Sequence, residues 1–180
     1  MLASSARTHI NRHGALPGRR AVVFTTNDSA YAAALDIKAS GVEVTAIVDT
    51  RPAPGEWADR AREAGIEILP AHAVVGTEGD PRITSVTVAP YGECVGRQQF
   101  AVDLLLVSGG WNPVAHLFSQ SGGKLRHDEE LGSFVPDSGR QAVEVAGAAS
   151  GVFDLAGALA QGVAAGTRAI EAEGYTAEAP

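Results

Sequence analysis

Apolar positions along the chain fall into short β-branched runs that alternate with Ala-rich segments, and this alternation predicts the elements. Residues 2–13 predict a short helix that Gly14 stops, and Pro17-Gly18 predicts a turn. Ala21 to Thr25, AVVFT, predicts a strand; Thr26-Asn27-Asp28 is a polar turn; Ser29 to Ser40 is Ala-rich, carries Tyr31, Leu35 and Ile37, and predicts a helix ended by Gly41. Val42 to Val48 predicts a second strand closing on Asp49. Strand, turn, helix and strand in this order form a βαβ unit, which implies a parallel sheet.

The pattern continues with a Pro- and Gly-rich loop over Arg51 to Gly55, a helix over Glu56 to Ala64 and a third strand over Ile66 to Leu69. Residues 72–77, 83–89 and 98–101 predict short strands of an antiparallel meander, with turns at Gly79-Asp80-Pro81 and Pro90-Tyr91-Gly92. Val102 to Ser108, VDLLLVS, predicts a strand buried on both faces. Residues 111–140 carry no regular pattern, and the polar run His127 to Glu130 is expected as a solvated loop. Val143 to Ala146 predicts one more strand, and a helix is expected from about Phe153 to Glu173. Gly157, Gly162 and Gly166 lie within that helix and suggest close approach of another backbone or a cofactor. There are no internal repeats.

Composition narrows the function classes. The 180 residues are 45% apolar and 19% charged, which are globular proportions and exclude wholesale disorder. Fourteen basic against 21 acidic residues give a net charge of −7. With no basic cluster longer than Arg19-Arg20, neither a nucleic-acid partner nor a polybasic membrane anchor is expected. No apolar run predicts a signal peptide or a membrane span. A single cysteine, Cys94, excludes a disulfide framework within this chain and points weakly to a cytoplasmic setting.

Two turns are candidates for nucleotide chemistry. A βαβ unit that binds a dinucleotide opens with G-x-G-x-x-G, and here Thr25, Asn27 and Ala30 stand at the three glycine positions. Ala30 is acceptable, but Thr25 and Asn27 do not suit close approach of a pyrophosphate. Asp28, expected as the helix N-cap, places a carboxylate where a phosphate would bind. Asp49 ends the second strand where a ribose-binding acid belongs, and Arg51 follows it. The unit is therefore Rossmann-type with a degenerate site. The second turn, Gly147-Ala148-Ala149-Ser150-Gly151, leads into the last helix and reads either as a phosphate-binding turn or as an ordinary tight connection.

The remaining chemistry-bearing residues form no constellation. His9 and His13 share a helix face without a third ligand, so no metal site is expected, and His72, His116 and His127 are scattered. Cys94 reads as an incidental thiol, Trp57 and Trp111 as packing residues, and no serine sits in a G-x-S-x-G elbow. No residue qualifies as a general base or nucleophile.

The order of these parts carries a family resemblance. A βαβ unit, a meander, VDLLLVSGGWNP and VEVAGAASGVFDLAGALAQG resemble the C-terminal part of a flavoprotein with two dinucleotide-binding domains, the architecture of the pyridine nucleotide-disulfide oxidoreductases. Ser108-Gly109-Gly110 with Pro113 is similar to the A-T-G-x-x-P turn of that class. Ala146-Gly147-Ala148 is similar to its terminal A-G-D motif, with Ala148 in place of the aspartate. More narrowly, TTNDSAYAAALDI and SGGWNPVAHLFSQSGGKLR resemble α subunits of heterotetrameric sarcosine oxidases, and this resemblance covers nearly the whole chain.

The resemblance implies an α/β fold: a Rossmann-like three-layer FAD/NAD(P)-binding domain with a small antiparallel meander, plus the closing strand and helix of a neighbouring dinucleotide-binding domain. The implied division is an N-terminal helix and linker over 1–19, a degenerate NAD(P)-binding-type domain over 20–140, the closing strand and helix over 141–174, and a tail over 175–180. It implies sarcosine oxidation by a complex whose β subunit carries FAD. The α subunit holds NAD, shares an FMN between subunits and carries a folate-linked region further on. The NAD fingerprint and the folate region lie outside the matched segment, so this chain is expected to be a fragment or a split or truncated gene product. Its partners would be the remainder of the α subunit and the other subunits. By position, Gly147, Ala148, Phe153 and Leu155 would face the NAD of the missing half. Three readings follow: a structural domain of such a subunit, a functional NAD(P)-binding domain using Asp49 and Arg51, or a non-enzymatic interaction module.

Overall fold

α1 (Ala3–His13) buries only Ala3 and Ala6 and lies beside a parallel sheet built on the AVVFT run. The computed structural model describes residues 1–93 and 95–176, so Cys94 lies outside the described residues. β1 (Arg20–Thr25) turns through residues 26–28 into α2 (Ser29–Ala39), and β2 (Glu43–Asp49) returns parallel to β1. α3 (Glu56–Glu63) and β3 (Glu67–Pro70) repeat the crossover. β4 (His72–Glu78), β5 (Ser85–Pro90) and β6 (Gln98–Ala101) form the antiparallel meander, after which β7 (Leu104–Ser108) rejoins the parallel sheet. The parallel sheet has the order β3-β2-β1-β7, and the meander the order β4-β5-β6.

Three layers result because strand residues alternate between two apolar cores. Ala21 and Val23 of β1 pack with Tyr31, Ala34 and Ile37 of α2, whereas Val22 packs with Val86, Val88 and Phe100 of the meander. In β2 the alternation is broken deliberately. Ala21 pairs with Val44 but Val22 pairs with Ala46, so Thr45 is a bulge. The bulge puts Val44 and Ile47 on the helix side and Ala46 and Val48 on the meander side. It also leaves the buried Thr45 hydroxyl without a hydrogen-bond partner. β7 is covered on both faces as expected, with Leu104 and Leu106 toward the helices and Leu105 toward the meander. Among the described residues it is nevertheless the last strand on its side of the sheet, and its outer edge is met by the N-terminus, where the Met1 amine donates to the Leu105 carbonyl and the Val107 amide donates to the Met1 carbonyl.

The chain divides after Gly110 into two compact units, whereas the sequence places a boundary near residue 140. The second unit contains more regular structure than its polarity predicts. Residues 111–140, expected to be irregular, contain α4 (His116–Gln120) and an antiparallel hairpin of β8 (Lys124–Asp128) and β9 (Ser133–Ser138). β8 carries a single apolar residue, Leu125, so it gives no alternation to detect; the inward side chains are Ser133 and Val135 of β9. His127 and Asp128 end β8, and Glu129 and Glu130 form the exposed turn. The expected strand over 143–146 is not formed. Ala146 is extended (φ −137°, ψ 158°), but no described strand lies beside it, and an extended segment without a neighbour has no ladder to join. A 3-10 turn over Gly147–Ser150 leads to α5 (Leu155–Ala172), which has no buried residue. A side chain begun at Gly162 or Gly166 would meet nothing within 4 Å.

Candidate functional site

In a parallel sheet of this topology, ligands bind beyond the carboxyl ends of the strands where the strand order reverses. That point lies between β1 and β7. It is occupied by Asn27, whose Nδ2 donates to the carbonyl and the hydroxyl of Ser108 at the end of β7, at 3.2 Å each. The Thr25 hydroxyl, on a side chain 1% exposed, donates to the Asn27 carbonyl at 2.9 Å and accepts from the Asn27 amide at 3.1 Å. Asn27 Oδ1 accepts from the Ser29 amide at 3.0 Å. The first free amide of α2 is thus satisfied by Asn27.

Asp28, expected as the N-cap, does not cap the helix. It already has helical dihedrals (φ −74°, ψ −23°), which turn its carboxylate away from the amides ahead of it. The carboxylate instead accepts from Arg51 Nη2 at 2.7 Å. Ala30 packs in the helix-side core.

Asp49 is fully buried, and both of its oxygens are occupied, with Arg51 Nε shared between them at 3.1 Å to Oδ1 and 3.3 Å to Oδ2. Oδ1 accepts from the Arg51 amide at 2.9 Å and Arg51 Nε at 3.1 Å; Oδ2 accepts from the Tyr31 hydroxyl and from Arg51 Nη2, both at 2.8 Å. Burial, followed by the hydrogen bond to Asp49, pushes the Tyr31 hydroxyl well above its ordinary pKa, so it remains a donor. The hydrogen bond to Asp49 outweighs desolvation and raises the Arg51 pKa further, so the guanidinium stays charged. A ribose requires free lone pairs on Asp49, and these are taken; a pyrophosphate requires open amides at the turn, and those of Thr26, Asn27 and Ser29 already donate within the chain. The residues do not fit a dinucleotide here.

The second candidate turn is tied to its own helix. The Gly147 amide donates to Gln161 Oε1 at 2.8 Å, and the Ser150 hydroxyl reaches the same oxygen at 2.7 Å. Asp154 caps α5 by accepting from the Gly157 amide at 2.8 Å. Gly147 is buried with its amide used internally, whereas Ala148, Phe153 and Leu155 are exposed. The structure therefore gathers Thr25, Asn27 and Asp49 around one crevice in the first unit, and Gly147, Ala148, Phe153 and Leu155 around one turn in the second. Sequence reasoning missed Ser108, Gln161 and the closing role of Arg51. For Arg51 a signal existed: two residues beyond Asp49 at a strand end, it returns to the same side of the chain.

Among the described residues no group of three or more His, Cys, Asp or Glu side chains could hold a metal, and no helix is long and apolar enough to cross a membrane.

The parallel sheet, the meander and the switch-point crevice define a Rossmann-like FAD/NAD(P)-binding fold. Solved structures agree on the fold: thioredoxin reductase from T. acidophilum superimposes with a TM-score of 0.66 at 23% identity over 80% of this chain and 49% of that one. L-proline dehydrogenase from P. horikoshii does so with a TM-score of 0.57 at 20% identity over 96% of this chain and 30% of that one. No family model matches the chain. Three curated proteins match nearly all of it, and each is a sarcosine oxidase subunit alpha. Identity is 42% over 97% of the chain for Corynebacterium sp. (strain P-1) and 37% over 91% for Rhizobium meliloti (strain 1021). The chain is thus homologous, along nearly its whole length, to one segment of sarcosine oxidase α subunits. It spans 16–18% of the length of these relatives.

Proposed function

We propose that this chain is the structural second dinucleotide-binding-type domain of a sarcosine oxidase-like α subunit, and that it is inactive alone. In this reading it supports oxidative demethylation of sarcosine by a flavin- and NAD-containing heterotetramer. NAD belongs to the half of the subunit not represented here, and FAD and FMN belong elsewhere in the complex. The segment 143–146 and α5 complete that neighbouring domain, and Gly147, Ala148, Phe153 and Leu155 lie on its cofactor side. The cytoplasm is the expected setting. Homology to sarcosine oxidase α subunits supports the assignment to this enzyme.

The observation that carries the structural role is the fully occupied Asp49 carboxylate, with Asn27 bridging to Ser108 across the switch point. The exposure of Leu155, Leu159 and Val163 on α5 supports a role in which further polypeptide covers this face. Calorimetric titration of the chain with NAD and NADH tests the reading. The expected result is no binding tighter than about 1 mM, roughly 4 kcal/mol. Submillimolar binding that Asp49→Ala abolishes would overturn it in favour of a working NAD(P)-binding domain.

A further inference from the structure

We infer that the switch-point crevice is a dinucleotide-type site closed from within, and that Arg51, Asn27 and Asp28 are the residues that close it. The inference rests on the proposal that the wild-type crevice binds no nucleotide, and it adds a cause.

The framework around the crevice is complete. β1 and β2 run parallel, α2 starts directly beyond β1, Asp49 ends β2, and Ala30 supplies the small residue at the third fingerprint position. What differs is occupancy by the chain's own groups. The Asn27 carboxamide lies where close approach of a pyrophosphate needs bare backbone, and it donates to Ser108 on the opposite strand. Asp28 sets a carboxylate at the start of α2. Arg51 supplies the donors to Asp49 that ribose hydroxyls would otherwise supply, and its Nη2 at once neutralises Asp28. The three groups depend on one another, since Arg51 bridges the two carboxylates at 2.7 and 2.8 Å. The crevice is thus closed by side chains set on an intact backbone.

The inference predicts a change of specificity as side chains are withdrawn. With Asn27→Gly and Asp28→Ser, the turn regains bare backbone and Ser is a good N-cap. Arg51 still consumes Asp49 through Nε and one Nη2 hydrogen, but the Nη2 hydrogen that met residue 28 is released and can meet a 2′-phosphate. With Arg51→Ser added, Asp49 keeps the Tyr31 hydroxyl on Oδ2 but regains the lone pairs that the guanidinium held, so it can accept from ribose hydroxyls and repels a 2′-phosphate.

The experiment titrates the wild-type chain, the double variant and the triple variant with NADH and NADPH by nucleotide fluorescence, and circular dichroism verifies folding. The expected result is no binding by wild type, at least tenfold tighter NADPH binding by the double variant, and reversal toward NADH in the triple variant. A folded double variant that binds neither nucleotide better than wild type overturns the inference while the structural-domain reading stands. Binding by wild type overturns that reading and this inference together. Should the triple variant fail to fold, the double variant decides alone, because it retains the Arg51–Asp49 pair.

Discussion

Replacing Arg51 by Met removes the guanidinium that joins a buried and an exposed carboxylate, so the size of the loss shows which contact matters. The Asp49 side chain is 0% exposed, Asp28 is 45% exposed, and Arg51 is 33% exposed. Removing the partner of a buried charge typically costs about 3–5 kcal/mol. Arg51 is one-third exposed, and water can partly replace it, so the expected loss is about 2–3 kcal/mol, discounted for that screening. Asp28→Asn touches only the exposed half of the bridge and should cost no more than about 0.5 kcal/mol. Urea unfolding followed by circular dichroism measures both, and a double-mutant cycle isolates the Arg51–Asp28 coupling. In calorimetry the transition containing the parallel sheet should fall by roughly 5–10 °C in Arg51→Met. A loss below about 1 kcal/mol in Arg51→Met, or a larger loss in Asp28→Asn, would refute the view that burial of Asp49 sets the energy of this network.

Other perturbations read other parts of the fold. Desolvation pulls the Asp103 carboxyl upward, but donation from the amides of Arg20 and Arg19 outweighs it and holds the pKa below the ordinary value. The resulting stabilisation is present above the unfolded value near ~3.9 and is lost as pH falls through the lower folded value. The urea-midpoint gap between wild type and Asp103→Asn should therefore shrink below about pH 4. At Gly79 φ is +117°, and an added Cβ would lie 2.1 Å from the Arg82 carbonyl oxygen. Gly79→Ala should cost at least about 2 kcal/mol in urea unfolding. Asp154→Ala removes the α5 cap and should cost about 1 kcal/mol, read as lost helical ellipticity. Replacing Leu155, Leu159 and Val163 by Ser should lower binding of a hydrophobic dye without shifting the unfolding of the first unit; unchanged dye binding would place the exposed apolar surface elsewhere.

The first unit was legible in the sequence because its strands and helices each carry strong local signals. AVVFT, the Ala-rich α2 and the glycine after it agree in period, propensity and turn chemistry, and the whole meander follows from its turns. The Thr45 bulge was invisible, since VEVTAIV reads as one strand whichever face each residue takes. The β8–β9 hairpin was missed because a solvated hairpin needs few apolar residues, and KLRHD has only Leu125. The expected strand over 143–146 is not formed, because pairing depends on a neighbour that local sequence does not specify. At the crevice, the fingerprint positions and the acid at Asp49 were found from spacing. The closure was not, because it depends on which of two acids Arg51 reaches and on Asn27 crossing to Ser108, both facts of three-dimensional distance. Capping was assigned to Asp28 by residue type, and the helical dihedrals of Asp28 passed that role to Asn27.

Arg51 is tethered two residues from the carboxylate it serves, and the tether sets the terms of any competition. A group on so short a connection acts at an effective concentration of millimolar or more. A dissolved nucleotide at a hundredth of that concentration would need to bind the crevice about 2.7 kcal/mol better than the arginine does merely to share it equally. Closure by a neighbour in the chain thus raises the affinity a free ligand must reach, by a margin that narrows as the ligand becomes more concentrated. Its ordering cost is met once, during folding, whereas a dissolved ligand meets its own at every binding event.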